Sequence, residues 1–183
     1  MRSLKSSFFL AMAVGVAAVI LWNVVDRVSA PSEVVPRQLA DGIWVSEQVT
    51  PEQLPAFKAR DIKAVIDLRP DGEVPDQPSS NVMADAAAKA GLQFAYIPVA
   101  HSDAPPAAAV DALVQSLAKL DKPVLLYCRS GRRAVRTWAL AEASRAGGLD
   151  TAAIEEAAKA AGQTTDGLHD MITARVAARA KAP

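Results

Sequence analysis

Polar and apolar positions divide this chain into one long apolar block near the amino end and, after it, short apolar runs alternating with longer segments of helical period. No polar side chain interrupts Phe8 to Trp22, Val24 and Val25 continue the run after Asn23, and Asp26 and Arg27 close it. Beyond that block, runs of strand length occur at Ile43-Trp44-Val45, Lys63 to Leu68, Gln93 to Val99 and Val124 to Tyr127. Helical patterns fill the spaces between them. Thr50-Pro51-Glu52-Gln53 is a helix start, with Thr50 as cap, Pro51 at the first helical position and Gln53 reaching back, and the helix runs to about Arg60. Further helices are predicted over Asn81 to Ala90, stopped by Gly91, and over Ala107 to Leu120, with Val110, Leu113, Val114 and Leu117 on one face. Three more are predicted over Arg132 to Ala146, Thr151 to Ala161 and Thr165 to Ala180. Pro, Asp and Gly mark Arg69 to Ser80 as a loop, and His101 to Pro106 is another.

Strands that alternate with helices imply an α/β fold with a mostly parallel central sheet covered by helices on both faces. Such sheets bind ligands beyond the carboxyl ends of their strands. Cys128 stands at that position, after the most apolar strand and before a helix. Trp44 and Trp138 are expected in the core, Trp138 sharing a helix face with Val135 and Ala139, and His169 is given no role.

Arg2 and Lys5 precede the amino-terminal apolar block. Basic residues, then an apolar stretch, then polar sequence form the pattern of an export signal or a signal anchor. The block falls in length between a signal-peptide core of about 15 residues and a membrane span of about 20. Trp22 suits the interfacial belt, and Pro31 directly after Val28-Ser29-Ala30 makes a poor cleavage context. The expected organisation is a cytoplasmic end over 1–7, a transmembrane anchor (or signal peptide) over 8–25, a linker over 26–38 and a catalytic domain over 39–180. This places the domain in a bacterial periplasm, tethered to the inner membrane by one span, or secreted there if the signal is cleaved.

Composition narrows the chemistry. The chain has 183 residues, 20 Lys+Arg against 20 Asp+Glu, and a formal net charge of zero, so it lacks the basic excess of a nucleic-acid binder. One cysteine permits no internal disulfide and no multi-thiolate zinc site, and no cofactor or metal is expected. A lone cysteine is more often a small buried hydrophobe than a catalyst, so its surroundings must decide. Those surroundings read Val124-Leu125-Leu126-Tyr127-Cys128-Arg129-Ser130-Gly131-Arg132-Arg133-Ala134. A buried strand that turns directly into a helix converges backbone N–H groups on one point and adds the partial positive charge of the helix start, which makes an anion-binding nest. A thiol at the edge of that nest favours its thiolate. Gly131 permits the positive φ of a tight turn, Arg133 closes the nest with a planar fork suited to a tetrahedral oxyanion, and Arg129 and Arg132 add positive potential. Cys128 is therefore the candidate nucleophile, with Arg129, Ser130, Gly131 and Arg132 as substrate-binding positions around it.

Cys-Arg-Ser-Gly-Arg-Arg resembles the active loop of rhodanese-type sulfurtransferases. The wider chain, from about Gln38 to Ala178, resembles the phosphatase-like domain of beta-lactamase-hydrolase-like fusion proteins, within the cysteine-phosphatase fold group. The resemblance is carried by Val65-Ile66-Asp67-Leu68-Arg69-Pro70-Asp71-Gly72-Glu73, by Tyr96-Ile97-Pro98-Val99 and by the cysteine loop. It implies a cysteine nucleophile at Cys128 and anion binding by the loop through Arg133. Three departures bear on the reaction. Tyrosine and dual-specificity phosphatases have His before the cysteine, five residues between Cys and Arg, and a hydroxyl after the arginine. Here Tyr127 precedes the cysteine, four residues separate Cys128 from Arg133, and Ala134 follows. A shorter loop makes a tighter nest, better suited to a sulfur atom than to a full phosphoryl group.

A phosphatase also needs an acid for the leaving oxygen, and related phosphatases place an Asp on a loop upstream of the cysteine. Asp103 is the candidate, with His101 as an alternative; Asp103 as a cap of the following helix or as a solvated loop residue is the plainer reading. Arg69, Asp71 and Glu73 lie on the same rim, either orienting Arg133 and binding substrate or only building a polar turn. Three functions remain open: a phosphatase-like hydrolase, a sulfurtransferase that carries a persulfide on Cys128, and a membrane-tethered anion-binding or redox-sensing module with an exposed thiol. The first two imply a small anionic substrate, a phosphate ester or a sulfane-sulfur donor. The export reading predicts that a reporter fused after Pro183 is active only in its periplasm-dependent form. Activity of a cytoplasm-dependent reporter at that position would rule it out.

Overall fold

The computed structural model describes residues 34–179. The expected anchor over 8–25 lies outside them, and among the described residues no helix is long and apolar enough to cross a membrane.

Five strands form one sheet. They are β1 (Arg37–Ala40), β2 (Ile43–Ser46), β3 (Ala64–Asp67), β4 (Gln93–Tyr96) and β5 (Val124–Tyr127), in the order β1-β2-β5-β3-β4. Only β1 runs antiparallel, pairing with β2 across Gly42. β5 sits at the centre, and all four of its residues are buried because both its neighbours and both its faces are covered. Its register aligns Tyr127 with Ser46 on one side and Asp67 on the other, while Asp67 aligns with Tyr96. The four parallel strands therefore end at one rim, and the loops that follow them share that rim.

Side chains alternate across the sheet as strand geometry requires. Val124, Leu126 and Cys128 point with Ile66 and Leu68 into a core completed by four helices: α3 (Ala107–Lys119), α4 (Arg132–Ser144), α5 (Thr151–Ala160) and α6 (His169–Arg179). Leu125 and Tyr127 point with Val65 to the opposite face. There α1 (Leu54–Ala59), entered through a 3₁₀ turn at Pro51–Gln53, and α2 (Ser80–Lys89) supply Leu54, Phe57, Met83 and Ala87. The Thr50 backbone N–H donates to Gln53 Oε1 at 2.9 Å, the reach-back that the sequence implies.

Four expectations are corrected. The linker expected to run through Gln38 gives way to β1 at Arg37, and Val34 is already buried, because the edge of β2 has backbone groups to pair. The third strand pattern, expected to reach Val99, ends at Tyr96, although the Ile97 and Val99 N–H groups still donate to Asp67 O and Leu68 O. The last helix begins at His169 rather than Thr165, after a turn at Gly167 with φ +76°. Finally, α4 is not one-sided: every residue from Ala134 to Ala143 is buried, Arg136, Thr137 and Glu142 included. The two carboxy-terminal helices pack on its outer surface, so they do more than cover the sheet. Arg179, expected to suit the end of its own helix, instead donates to Glu142 O and Gly148 O at the end of α4.

Candidate active site

The cysteine loop leaves β5 held by hydrogen bonds from neighbouring segments. Leu68 N–H donates to Tyr127 O at 2.9 Å, which holds the end of the strand. Cys128 follows and is 1% exposed, its side chain turned towards the core. Two donors then take the loop carbonyls: Gln48 N–H reaches Arg129 O at 3.3 Å and Gln163 Nε2 reaches Ser130 O at 2.8 Å. A trans peptide sets its C=O and N–H on opposite sides. The N–H groups of Ser130 and Gly131 are thereby turned away from Gln48 and Gln163 and left without those partners. Gly131 closes the turn at φ +84°, and a Cβ there would lie 3.0 Å from Gln163 Nε2, so the position requires glycine on two counts. α4 starts at the next residue with no side-chain cap, which leaves its first-turn N–H groups for an anion. The side chains of Arg129 and Ser130 are exposed.

Arg133 carries the geometry of the site. Its Nη1 donates to Glu73 Oε1 at 2.5 Å and to Val99 O at 2.8 Å, and its Nη2 donates to Glu73 Oε2 at 2.8 Å. A guanidinium has five N–H donors. These three bonds leave the Nε hydrogen and one Nη2 hydrogen, which form the second edge of the fork. One edge is thus fixed by Glu73, and Cys128 is a partner of the remaining donors. Glu73 strengthens the Arg133 cation most, and the nearby Cys128 adds to it. Glu73 is in turn held by Arg69 Nε at 2.8 Å, and Arg69 Nη1 donates to Gln48 Oε1 at 2.7 Å. Because the Gln48 backbone holds Arg129 O, the circuit Gln48–Arg69–Glu73–Arg133 returns to the loop it supports. The hydrogen bonds from Arg133, aided by Arg69, pull the Glu73 carboxyl down to about 2 against its partial burial. The pair therefore stays charged through the neutral range, and the orientation of Arg133 does not titrate there.

The other two rim residues have separate tasks. Arg69, 4% exposed, links Gln48 to Glu73. Asp71 accepts from Ser80 N–H and Oγ at 2.7 Å each, fastening the loop to the start of α2, so the polar-turn reading holds for it. Beneath them Asp67 is 1% exposed and faces Tyr127 in register. Burial pushes its carboxyl up to about 6, although Arg69 N–H donates to Oδ1 at 2.8 Å. The Tyr127 hydroxyl is likewise held neutral, by burial first and by Asp67 second.

Asp103 lies on a cleft of ≈ 310 Å³ together with His101, Ser102, Arg132, Arg133 and Arg136, and with Asp166 from the turn between α5 and α6. It does not cap α3, which starts at Ala107 after Pro106 with no side-chain cap. The fold thus brings Asp103, His101, Arg132 and Arg133 to one cleft. Sequence reasoning missed Gln48, Gln163, Arg136 and Asp166. For Arg136 a signal existed: a charge one helical turn after Arg132, directly following Ala134 and Val135.

The family described as "Beta-lactamase hydrolase-like protein, phosphatase-like domain" matches residues 36–146. That span holds Glu73, Asp103, Cys128, Arg133 and Arg136 and stops before Gln163 and Asp166. A beta-lactamase hydrolase-like protein of Xylella fastidiosa is 35% identical over 98 residues, 54% of this chain and 22% of its own length. One from Agrobacterium fabrum is 31% identical over 106 residues, 58% of this chain and 24% of its own. The match thus spans less than a quarter of each of these relatives. The solved structure of a candidate phosphatase from Neisseria meningitidis is 26% identical with a TM-score of 0.65, the likeness covering 75% of this chain and 96% of that one.

Two outcomes are expected from this geometry. Arg133→Lys keeps the charge but loses the second edge of the fork, so inhibition by inorganic phosphate should weaken about ten-fold or more. Asp67 binds its proton more tightly when folded, from 3.8 up to about 6. Its contribution is therefore favourable at low pH and is lost as pH rises through about 6. Asp67→Asn should be more stable than wild type above that pH, by up to about 3 kcal/mol, with the advantage vanishing towards pH 4 in urea titrations.

Proposed function

The chain belongs to the family of beta-lactamase hydrolase-like phosphatase-like domains, and from that premise we propose that it is a cysteine-dependent phosphatase-like hydrolase acting on a small anionic phosphate ester. The observation that carries the reading is Arg133, fixed on one edge by Glu73 and meeting Cys128 with its remaining donors. Glu73 and Val99 together engage three of its donors. In this mechanism Cys128 Sγ attacks phosphorus while the bond to the leaving oxygen breaks. The N–H groups of the loop and of the first turn of α4, with Arg133, hold the equatorial oxygens as charge builds on them. Asp103 donates a proton to the leaving oxygen. It then takes a proton from the water that attacks the phosphoenzyme, and the S–P bond breaks to release phosphate. Arg132, on the same cleft, adds positive potential for the arriving anion.

A second reading, persulfide transfer through Cys128, is favoured by the four-residue spacing from Cys128 to Arg133. It needs no leaving-group acid. In either case the domain is proposed to work outside the inner membrane, tethered through the apolar block after Lys5.

Rates for wild type, Asp103→Asn and Cys128→Ser with an alkyl phosphate, a nitrophenyl phosphate and thiosulfate plus cyanide test the assignment. Asp103→Asn should slow the alkyl phosphate by about 10²–10⁴-fold, and less for the nitrophenyl ester, whose leaving group is already acidic. Cys128→Ser should abolish all turnover, because no base in the loop activates an alcohol. Turnover of thiosulfate alone by the wild type would replace the phosphatase reading with sulfur transfer.

A further inference from the structure

Arg136 is charged, 5% exposed and set one helical turn beyond Arg132 in a helix buried all round. Such a cation must find partners, and both of those it finds are backbone carbonyls. Nη1 donates to Asp166 O at 2.5 Å, and Nη2 donates to Asp103 O. One side chain thereby ties the turn before α3 to the turn between α5 and α6. The turn at residues 101–104 packs on the core through Ala104, with Pro105 buried behind it, but few hydrogen bonds hold its exposed part. Among the described residues its other hydrogen bonds are internal, from Ser102 Oγ to Ala104 O at 2.7 Å and to Ala100 O at 3.4 Å.

The choice of acceptor matters chemically. A bond to the backbone carbonyl holds the turn itself rather than one rotamer of the Asp103 side chain. The same guanidinium thereby fixes the backbone that carries Asp103, which lines the cleft with Arg133. We infer that Arg136 is a positioning residue for the leaving-group acid, clamping the Asp103 turn against the Asp166 turn so that the Asp103 carboxyl meets the leaving oxygen. This rests on the assignment of Asp103 as the acid. It also gives the carboxy-terminal helices, which lie beyond the family match, a part in the reaction.

The test uses the full chain as wild type, Arg136→Met, Arg136→Lys, Asp103→Asn and the Arg136→Met/Asp103→Asn double variant. Arg136→Met should lower kcat on an alkyl phosphate about 10–100-fold with little change in KM, because misplacing a catalytic group by about 1 Å costs on that order. The loss should shrink on a nitrophenyl phosphate, and Arg136→Lys, which retains a donor, should recover part of it. The decisive comparison is the double variant, which should be no slower than Asp103→Asn alone. A double variant that adds the whole Arg136→Met penalty to that of Asp103→Asn would mean a merely structural role and overturn the inference. If Asp103→Asn is slow and Arg136→Met is not, the acid assignment stands and the clamp falls. If Asp103→Asn leaves the alkyl rate intact, the acid assignment itself falls and takes the inference with it. Should Arg136→Met fail to fold, amide exchange of residues 101–104 in Arg136→Lys decides: faster exchange than wild type supports the clamp, and unchanged exchange overturns it.

Discussion

A guanidinium presents two bidentate edges, and in Arg133 one of them is committed to Glu73. This division of one side chain organises the rim. A free arginine at the mouth of an anion nest would sample many rotamers, and ordering it on binding would cost free energy. Glu73 removes that freedom beforehand, and Val99 O fixes the plane of the group. The carboxylate is itself positioned by the buried Arg69, and Arg69 by Gln48, whose backbone returns to the cysteine loop. Each member thus depends on the next. The circuit spans three segments that are distant in sequence and meet only because β2, β3 and β5 lie side by side.

That adjacency has a cost, which falls on Asp67. Its side chain ends β3 on the face that also receives Tyr127, where no water relieves its charge. The fold accepts a carboxyl that resists ionisation, held by the Arg69 N–H that begins the turn towards Glu73. The same turn therefore links a group that titrates near neutrality to one that stays ionised down to about 2. Burial dominates the first and paired guanidinium groups dominate the second, a few residues apart.

Phosphoryl and sulfur chemistry place different demands on this framework. Both need a thiolate and a nest of N–H donors. Only phosphoryl transfer to an alkoxide leaving group needs a proton as well, and only there does the cleft beside Arg133 acquire a purpose for Asp103. The short spacing from Cys128 to Arg133 pulls the other way. The anchored carbonyls of Arg129 and Ser130 serve either chemistry, since both use the N–H side of the loop.

Periodicity alone determined the α/β class, the four parallel strands to within a few residues, and the placement of Cys128 at a strand end before a helix, because these follow from local alternation and from turn residues such as Gly131. The loop motif likewise singled out Arg133, which the structure places on the rim held by Glu73. Tertiary structure alone decided the rest. β1 is a strand because β2 offers it an edge, and α4 is buried all round because two later helices cover it. Asp71 serves α2 while Glu73 serves Arg133, a division that a run reading Arg-Pro-Asp-Gly-Glu does not disclose. Gln48, Gln163, Arg136 and Asp166 enter the site through hydrogen bonds between segments remote in sequence. Such contacts depend on where the chain returns in space, and no local pattern of residues encodes that return.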